Sequence, residues 1–117
     1  IAKAKAISTA EVFMEGFILA ECAADQVGSP TVLGAQVANE LMDINNVRAS
    51  FVFTDYNNQI YISARSIDEV NVQVVMEKLG GGGHMSVAGA QLAGCTIEEA
   101  KQQVKNVLTE MVENKEI

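Results

Sequence analysis

The sequence predicts a small mixed α/β domain, in which helices pack on a β-sheet of about four to five strands. Three observations support this prediction. The chain has 117 residues, a common size for a single domain with one core. Hydrophobic residues make up 49% of it, too large a share for a disordered segment. Strand-like and helix-like patterns alternate in the order β-α-β-β-α-loop-β-α, with no linker or repeat dividing them.

Four stretches have the composition of β-strands. They are residues 12–22, 47–54, 59–65 and 88–92. The first could break near Gly16. The second and third form a predicted hairpin, because Asp55-Tyr56-Asn57-Asn58 between them has the composition of a turn. Residues 1–10 are expected to be the end of an incoming helix or a linker.

Three helices are predicted from capping residues and apolar periodicity. They cover residues 31–43, 69–79 and 97–113. The first begins at Ser29-Pro30, since Ser can cap a helix and Pro fits its first position. The second has two alternative starts, a capping box at Ser66-x-x-Glu69 or a cap at Asn71, and it ends at Gly80. A strand is the alternative for this second segment, because its valines alternate.

The last helix has the clearest signals in the chain. Thr96-x-x-Glu99 is a capping box, in which each residue satisfies a backbone N–H at the start of the helix. One apolar stripe follows at helical spacing. Its members are Ile97, Ala100, Val104, Val107, Leu108 and Met111.

Charge and the absence of known motifs limit the functions open to the chain. The net charge of −7 opposes broad capture of nucleic acid, so any phosphate site must be small and precise. No HExxH, CxxC or GxSxG pattern occurs, and we expect neither a metal site nor catalysis by this chain alone. Cys22 and Cys95 are expected to be free, partly buried thiols. No direct membrane contact is expected, because the longest apolar run near the start, Phe17 to Ala20, is far too short to span a bilayer.

The run Gly80-Gly81-Gly82-Gly83-His84 is the most informative feature of the sequence. Consecutive glycines can adopt positive φ and let a ligand approach the backbone, and their amides can form an anion nest with His84 at its rim. A left-handed backbone or a close ligand is therefore expected at Gly82. Composition alone favours the alternative, a flexible loop that follows a helix.

Arg65 is the second candidate site residue and one of only two arginines in the chain. It lies at the end of a predicted strand, with hydroxyls at Ser63 and Ser66, and its planar guanidinium suits a phosphate or a base edge. The alternative is a solvated arginine paired with a carboxylate. The predicted order of elements makes it plausible that Arg65 and the glycine run face one cleft.

These motifs resemble the DHH-associated C-terminal domain of the DHH-family phosphoesterases. The resemblance rests on the segment from Val70 to Leu79, the glycine run with His84, and Ala88-Gly89-Ala90-Gln91, and it extends over nearly the whole chain. Ile62-Ser63-Ala64-Arg65-Ser66 matches the companion motif of that family. The sequence is most similar to the membrane-anchored bacterial phosphodiesterases that hydrolyse cyclic di-AMP. It differs at Val87-Ala88-Gly89, where many relatives have Ala-Ala-Gly.

The resemblance implies a division of labour between two domains. A preceding DHH domain would hold two manganese ions, convert cyclic di-AMP to linear pApA and be the partner of this domain, which would bind no cofactor itself. The parent protein would be anchored in the membrane, with this domain in the cytoplasm. A cyclic dinucleotide or short oligonucleotide would be the ligand. The implied substrate-contacting residues are Arg65, Gly81, Gly82, Gly83 and His84, with Ser63 and Ser66 steadying the strand end.

Two other functions stay open at this point. One is a nucleic-acid-binding domain of a RecJ-like exonuclease or short-oligonucleotide hydrolase. The other is a non-catalytic interaction module in which the glycine run is a spacer. The sequence also leaves a homodimer open.

Overall fold

The computed structural model describes residues 1–24 and 29–117. The elements in chain order are α1 (Ala2–Ser8), β1 (Glu11–Phe13), β2 (Phe17–Ala23), α2 (Val32–Leu41), β3 (Ala49–Tyr56), β4 (Gln59–Ser66), α3 (Val72–Glu77), β5 (Gly82–Gly83), β6 (Val87–Ala93) and α4 (Ile97–Glu113). The strands form one sheet in the order β1-β2-β3-β4-β6-β5. The sheet is mixed, because β2 and β3 are parallel while the other neighbouring strands are antiparallel.

The mixed α/β fold is confirmed, and the described residues form six strands rather than about four to five. One additional strand arises because the segment 12–22 breaks at Gly16 into the hairpin of β1 and β2. Gly16 has a φ of +91°, and a Cβ there would lie 2.6 Å from the side chain of Arg48, so this turn requires glycine. The other additional strand is β5, which lies within the glycine run that was expected to be a loop.

The four helices in the described residues differ from the predictions mainly at their ends. Helix α4 has the predicted bounds and both hydrogen bonds of its capping box. Helix α2 is shorter than predicted, and the Ser29 hydroxyl accepts a hydrogen bond from the N–H of Val32 at its start. The predicted end of an incoming helix is α1, whose buried Ala6 joins the core cluster beneath α2.

Helix α3 is capped by Asn71, so the capping box at Ser66-x-x-Glu69 is wrong. Both members of that box have other partners. The Ser66 hydroxyl donates to the carbonyl of Val70, and the Glu69 carboxylate pairs with Arg48. The helix therefore begins three residues later than predicted, at Val72 against 69.

Two hydrophobic clusters cover the two faces of the sheet. Helices α3 and α4 pack on one face, against residues such as Phe17, Phe51 and Ile62. Helices α1 and α2 pack on the other, against Ile18 and Val52. Helix α2 packs on β2, β3 and β4, so the α2 side of β6 and β5 extends beyond the helix. The radius of gyration of 12.8 Å matches the value of about 13 Å expected for one domain of this length.

Cys22 is buried and Cys95 is half-buried, and both are free thiols as predicted. Burial raises the pKa of both thiols, and Glu99 raises that of Cys95 further. No helix within residues 1–24 and 29–117 has the length and hydropathy needed to cross a membrane.

Candidate functional site

Strand β4 presents most of its candidate residues on the face covered by α2. Ile62 and Ala64 belong to the core cluster on the opposite face, so Tyr61, Ser63 and Arg65 point toward the α2 side. Two contacts agree with this alternation. Arg65 bonds to a residue of α2, and a Cβ at Gly34 of α2 would lie 3.4 Å from the Ser63 hydroxyl.

The partners of Arg65 among the described residues are neutral. Its Nε donates to Oδ1 of Asn39 at 2.8 Å, and its Nη1 donates to the carbonyl of Ala64 at 2.9 Å. Within the described part of the chain, no carboxylate forms an ion pair with it, and its Nη2 has no hydrogen bond. Burial lowers the pKa of Arg65, but a guanidinium stays protonated in proteins. The site therefore holds an oriented positive charge that no carboxylate within residues 1–24 and 29–117 pairs with.

Arg48, the other arginine, is paired with a carboxylate, which was the alternative considered for Arg65. Nε of Arg48 lies 2.9 Å from the Glu69 carboxylate, and its guanidinium lies 5.4 Å from the centre of the Phe17 ring. Arg48 is therefore paired with a carboxylate and packed against an aromatic ring.

The glycine run joins the end of α3 to the sheet, and two of its residues form β5. Gly80 has a φ of +86° after α3, and the N–H of Gly81 donates to the carbonyl of Met76 at 2.8 Å, as at many helix ends. Gly82 and Gly83 then pair with β6, and the N–H of His84 donates to the carbonyl of Val87. The prediction of an anion nest is therefore wrong for the Gly81 amide, which already has a partner.

Three glycines of the run have different steric surroundings. A Cβ at Gly81 would lie 2.1 Å from the carbonyl oxygen of Gly89, and one at Gly83, where φ is +143°, would lie 2.6 Å from that of Val87. A Cβ at Gly82 would meet no atom within 4 Å, and its φ is not positive. The expectation of a left-handed backbone at Gly82 is therefore wrong, and this glycine instead faces open space.

Strand register joins these residues into one surface. Gly82 pairs with Gly89 of β6, and Gly89 pairs with Ser63 of β4, so three adjacent strands carry almost no side chain along one row. We call the row of Gly82, Gly89 and Ser63 the glycine trough. On one side of it lies the pair of Arg65 and Val87.

The other side of the trough is formed by the cross-strand pair of Tyr61 and Gln91. A pocket of about 380 Å³ opens there. Its lining includes Thr31, Tyr61, Gly80, Gly81, Gly89 and Gln91.

His84 and Ser66 take different positions relative to the trough. His84 is exposed, and its bond to Val87 places it two strands from Arg65, roughly 10 Å at the usual strand spacing. Ser66 follows Ala64 on the opposite face, and its hydroxyl donates to the carbonyl of Val70 at 2.6 Å. Ser66 thus steadies the strand end and does not face the trough.

Comparison with known proteins identifies the family. Residues 18–114 match the family model described as the DHHA1 domain. The chain belongs to the DHHA1 domain family. This confirms the resemblance to the DHH-associated C-terminal domain.

The DHHA1 domain has similar relatives among curated proteins. It is 41% identical over 103 residues to cyclic-di-AMP phosphodiesterase PdeA of Listeria monocytogenes, covering 87% of this chain and 16% of the relative. It is 40% identical over 114 residues to cyclic-di-AMP phosphodiesterase GdpP of Geobacillus thermodenitrificans, covering 97% of this chain and 17% of the relative. The matched part of the chain is thus only about a sixth as long as each of these relatives.

Its fold is also found in a solved structure, that of an exopolyphosphatase-related protein from Bacteroides fragilis. The TM-score is 0.81 at 22% identity, and the match covers 94% of this chain and 34% of that one. This likeness concerns the fold.

The structure of the DHHA1 domain brings together Arg65, Ser63 and Gly82 and adds three residues that the sequence analysis missed. These are Asn39, which orients Arg65, and the pair Tyr61 and Gln91. The strand alternation that places Ser63 beside Arg65 also places Tyr61 on that face, so this residue had a signal in the sequence. Gln91 belongs to the motif Ala88-Gly89-Ala90-Gln91 that carries the family resemblance, but only the pairing of β6 with β4 brings it to the site. Asn39 had no signal in the sequence, because only the packing of α2 brings it to Arg65.

Proposed function

We propose that this DHHA1 domain binds a phosphate of a cyclic dinucleotide and presents it to a phosphodiesterase domain that precedes it in the full protein. The observation that carries the proposal is the guanidinium of Arg65, which is oriented by Asn39 and faces no carboxylate among the described residues. The names of the similar relatives, which are cyclic-di-AMP phosphodiesterases, support the choice of ligand.

The chemistry of Arg65 suits a phosphate. A guanidinium offers planar donors that match two oxygens of one phosphate, and charge-assisted bonds of this kind are about twice as strong as neutral ones. Asn39 fixes the plane of the group through Nε, which leaves Nη2 available for the ligand. In a chain with a net charge of −7, such a local positive site is needed to hold an anion at all.

The glycine trough has room for the sugar-phosphate part of a small nucleotide ligand. Gly82 and Gly89 leave the floor bare beside Arg65, so a sugar-phosphate could contact the strands directly. His84 lies at the rim and adds a ring nitrogen as a hydrogen-bonding group. Ser66 holds the end of β4 through its bond to Val70, Ser63 lies in the row of the trough, and the tight approach of Gly81 and Gly83 to β6 lets β5 pair there.

We assign the reaction itself to another domain of a longer protein. No group of three His, Cys, Asp or Glu side chains that could hold a metal ion exists in residues 1–24 and 29–117. The residues present therefore do not fit a resident metal, and we place the two manganese ions and the hydrolysis to pApA in a preceding DHH domain. Membrane anchoring would likewise belong to that longer protein, with this domain in the cytoplasm.

A binding titration tests the proposal. The DHHA1 domain has a core on both faces of its sheet, so cyclic di-AMP can be titrated into the 117-residue chain by calorimetry. Arg65→Ala should weaken binding by about 1.5–3 kcal/mol, the cost of a charge-assisted hydrogen bond. The control is Lys78→Ala, which removes an equal charge from an exposed residue next to the glycine run and should change little.

The titration also separates the alternatives. Unchanged affinity in a well-folded Arg65→Ala variant would contradict the proposal and favour an interaction module. Tighter binding of a short oligoadenylate than of cyclic di-AMP would favour a RecJ-like hydrolase. The net charge argues against long strands, whose binding rests on many phosphate contacts.

A further inference from the structure

We propose that a cavity at the opposite end of the sheet from Arg65 binds an aliphatic monocarboxylate, such as a fatty acid of short or medium length. The cavity lies between α1 and the start of α2, over the end of β2. Its volume of about 410 Å³ is within the range of about 300–1,000 Å³ that is usual for small-molecule sites. Its lining includes Ala2, Lys5, Ala6, Cys22, Ala24 and Leu33.

Strand register separates this cavity from the glycine trough. Cys22 of β2 pairs with Thr54 of β3, whereas Arg65 of β4 pairs with Ser50 of β3. Thr54 and Ser50 are four residues apart, about 13 Å at the usual strand rise, and β2 and β4 lie on opposite sides of β3. A ligand in the cavity is therefore out of reach of Arg65, and this inference does not rest on the proposed function.

Small residues make the cavity hollow and apolar. Ala2 and Ala6 of α1 and Ala24 after β2 have no side chain beyond a methyl group, so space is left between the helices and the sheet. Leu33 adds an apolar wall from α2. Cys22 is 5% exposed, and burial raises the pKa of its thiol, which is therefore uncharged at neutral pH. An aliphatic chain in the cavity would be stabilised by the apolar surface that it buries.

Lys5 places a positive charge at this apolar cavity. It is exposed on α1, and it forms no ion pair within residues 1–24 and 29–117. Lys3, on the same helix, pairs with Glu40 at 3.5 Å instead. A carboxylate at one end of an aliphatic ligand could therefore pair with the ammonium group of Lys5.

Two carboxylates also border the cavity, but both belong to the α4 face of the sheet. Glu21 lies 2.7 Å from Nζ of Lys101 on α4, so it is already paired. Asp55 follows Phe53 by two residues on β3, and Phe53 belongs to the core cluster on the α4 face, so Asp55 points the same way. On the α1 side of the sheet the described charge at the cavity is that of Lys5, which favours an anionic ligand over a cationic one.

Alkylation of the two thiols tests the site in the 117-residue chain. Cys22 lines this cavity and Cys95 lines another, so each molecule carries its own control. At about ten times its Kd, octanoate should slow the reaction of Cys22 with N-ethylmaleimide about tenfold, because only empty cavities react. The rate at Cys95, followed in the same samples by mass spectrometry, should not change.

Two further probes separate the contributions of the charge and of the chain. Octylamine has the same aliphatic chain with the opposite charge, and acetate has the same charge with almost no chain. Neither should protect Cys22 at the concentrations at which octanoate does. Absence of protection by octanoate, equal slowing at both cysteines, or equal protection by octylamine would overturn the inference.

Substitutions on α1 test the role of Lys5. Lys5→Ala should weaken octanoate binding about fivefold, the size of a favourable exposed charge contact. Lys3→Ala is the matched control on the same helix and should leave the affinity unchanged. Each variant is first checked by thermal unfolding. Unchanged octanoate affinity in a well-folded Lys5→Ala variant would overturn the inference.

Arg65→Ala distinguishes this site from the proposed phosphate site. The variant should bind octanoate as the wild type does, although its affinity for cyclic di-AMP should fall. A loss of octanoate binding in this variant would show that octanoate occupies the glycine trough, and it would overturn the assignment to the cavity.

Discussion

The Nε of Arg65 donates a hydrogen bond to the Oδ1 of Asn39 at 2.8 Å and so joins β4 to α2. An amide in this position orients the guanidinium without cancelling its charge. Arg48 shows the contrast, because its partner is the carboxylate of Glu69 at nearly the same distance, 2.9 Å. Of the two arginines, Arg48 is paired with a carboxylate, whereas Arg65 beside the glycine trough has no ion pair with any described residue.

Asn39→Asp should therefore weaken anion binding while preserving the fold. The two side chains have nearly the same shape, but the new carboxylate would pair with Arg65 and neutralise it. We expect a loss of about tenfold in affinity for cyclic di-AMP at fixed ionic strength, measured by calorimetry. Asn39→Ala is the comparison, since it removes the orienting bond and keeps the charge. A smaller loss in the aspartate variant than in the alanine variant would contradict the role given to Asn39.

The glycines of the run should respond differently to the same substitution. Gly81→Ala should destabilise the domain by about 2 kcal/mol or more, because its Cβ would lie 2.1 Å from the carbonyl oxygen of Gly89. Gly82→Ala should change the free energy of unfolding by less than about 0.5 kcal/mol, since nothing lies within 4 Å of its Cβ. Urea unfolding of both variants measures these values.

Gly82→Ala should nevertheless weaken the binding of cyclic di-AMP if the ligand lies on the glycine trough. Gly94→Ala does not serve as a control, because its φ of +72° adds strain. Ala88→Gly serves instead, as a change of one methyl group on the opposite face of the neighbouring strand. Wild-type affinity in a stable Gly82→Ala variant would show that the ligand does not contact this glycine.

Local signals explain which parts of the fold were predictable. Helix α4 was predicted at both ends because its cap and its apolar stripe lie within one segment. Helix α3 was predicted too long because Glu69, which resembles a capping residue in sequence, pairs with Arg48, 21 residues earlier. Strand β5 was missed because glycine has no preference for strands, and its pairing with β6 depends on the turn that the tertiary fold imposes.

The candidate site was likewise predictable only where its residues have a local signal in the sequence. Arg65 could be selected because the chain has only two arginines, and the glycine run because four glycines follow one another. Both lie where one ligand could reach them. The pocket beside Tyr61 and Gln91 could not be predicted, because these two residues meet only through the register of β4 with β6. The amide partner of Arg65 lies 26 residues away on α2, and no local pattern connects the two.

The isolated domain should have no phosphodiesterase activity. The described residues include no group of three side chains that could hold a metal ion, so added manganese would have no site at which to activate water. We expect no conversion of cyclic di-AMP to pApA above background, measured by chromatography after prolonged incubation. Turnover that persists through purification and is lost in His84→Ala would contradict the division of labour between two domains.

Stability should depend on a buried lysine far from the trough. Nζ of Lys101 on α4 lies 2.7 Å from Glu21 and 3.3 Å from Glu11, and 6% of its side chain is exposed. Burial raises the pKa of Glu11, but the hydrogen bonds and charges of Lys101 and Lys105 outweigh it, so the net pKa is lowered. Burial lowers the pKa of Lys101, but its bonds to Glu21 and Glu11 outweigh this and raise it overall.

The sign of the pH dependence follows from these two directions. A carboxylate with a lowered pKa stabilises the fold above its ordinary value of 4.5, and this contribution is lost as pH falls through the folded-state pKa. The contribution of Lys101 is fully present below its ordinary value of 10.5 and is lost as pH rises through the raised pKa. The contribution of this ion pair to the free energy of unfolding should therefore not change near neutral pH. It should be lost as pH falls through the folded-state pKa of Glu11.

Lys101→Met should lower the free energy of unfolding at pH 7 by about 1–3 kcal/mol. This range lies between the usual contributions of exposed and of buried ion pairs, because the carboxylates that pair with Lys101 are partly exposed. The methionine fills the space of the lysine stem, so little packing is lost. The difference from wild type should shrink as pH falls from 6 to about 3, because protonation of Glu11 removes the same interaction from the wild type. Urea unfolding across this pH range measures the difference, with Lys78→Met as the control for an exposed lysine. A difference that stays constant from pH 6 to 3 would show that Lys101 stabilises the domain through packing and not through its carboxylate partners.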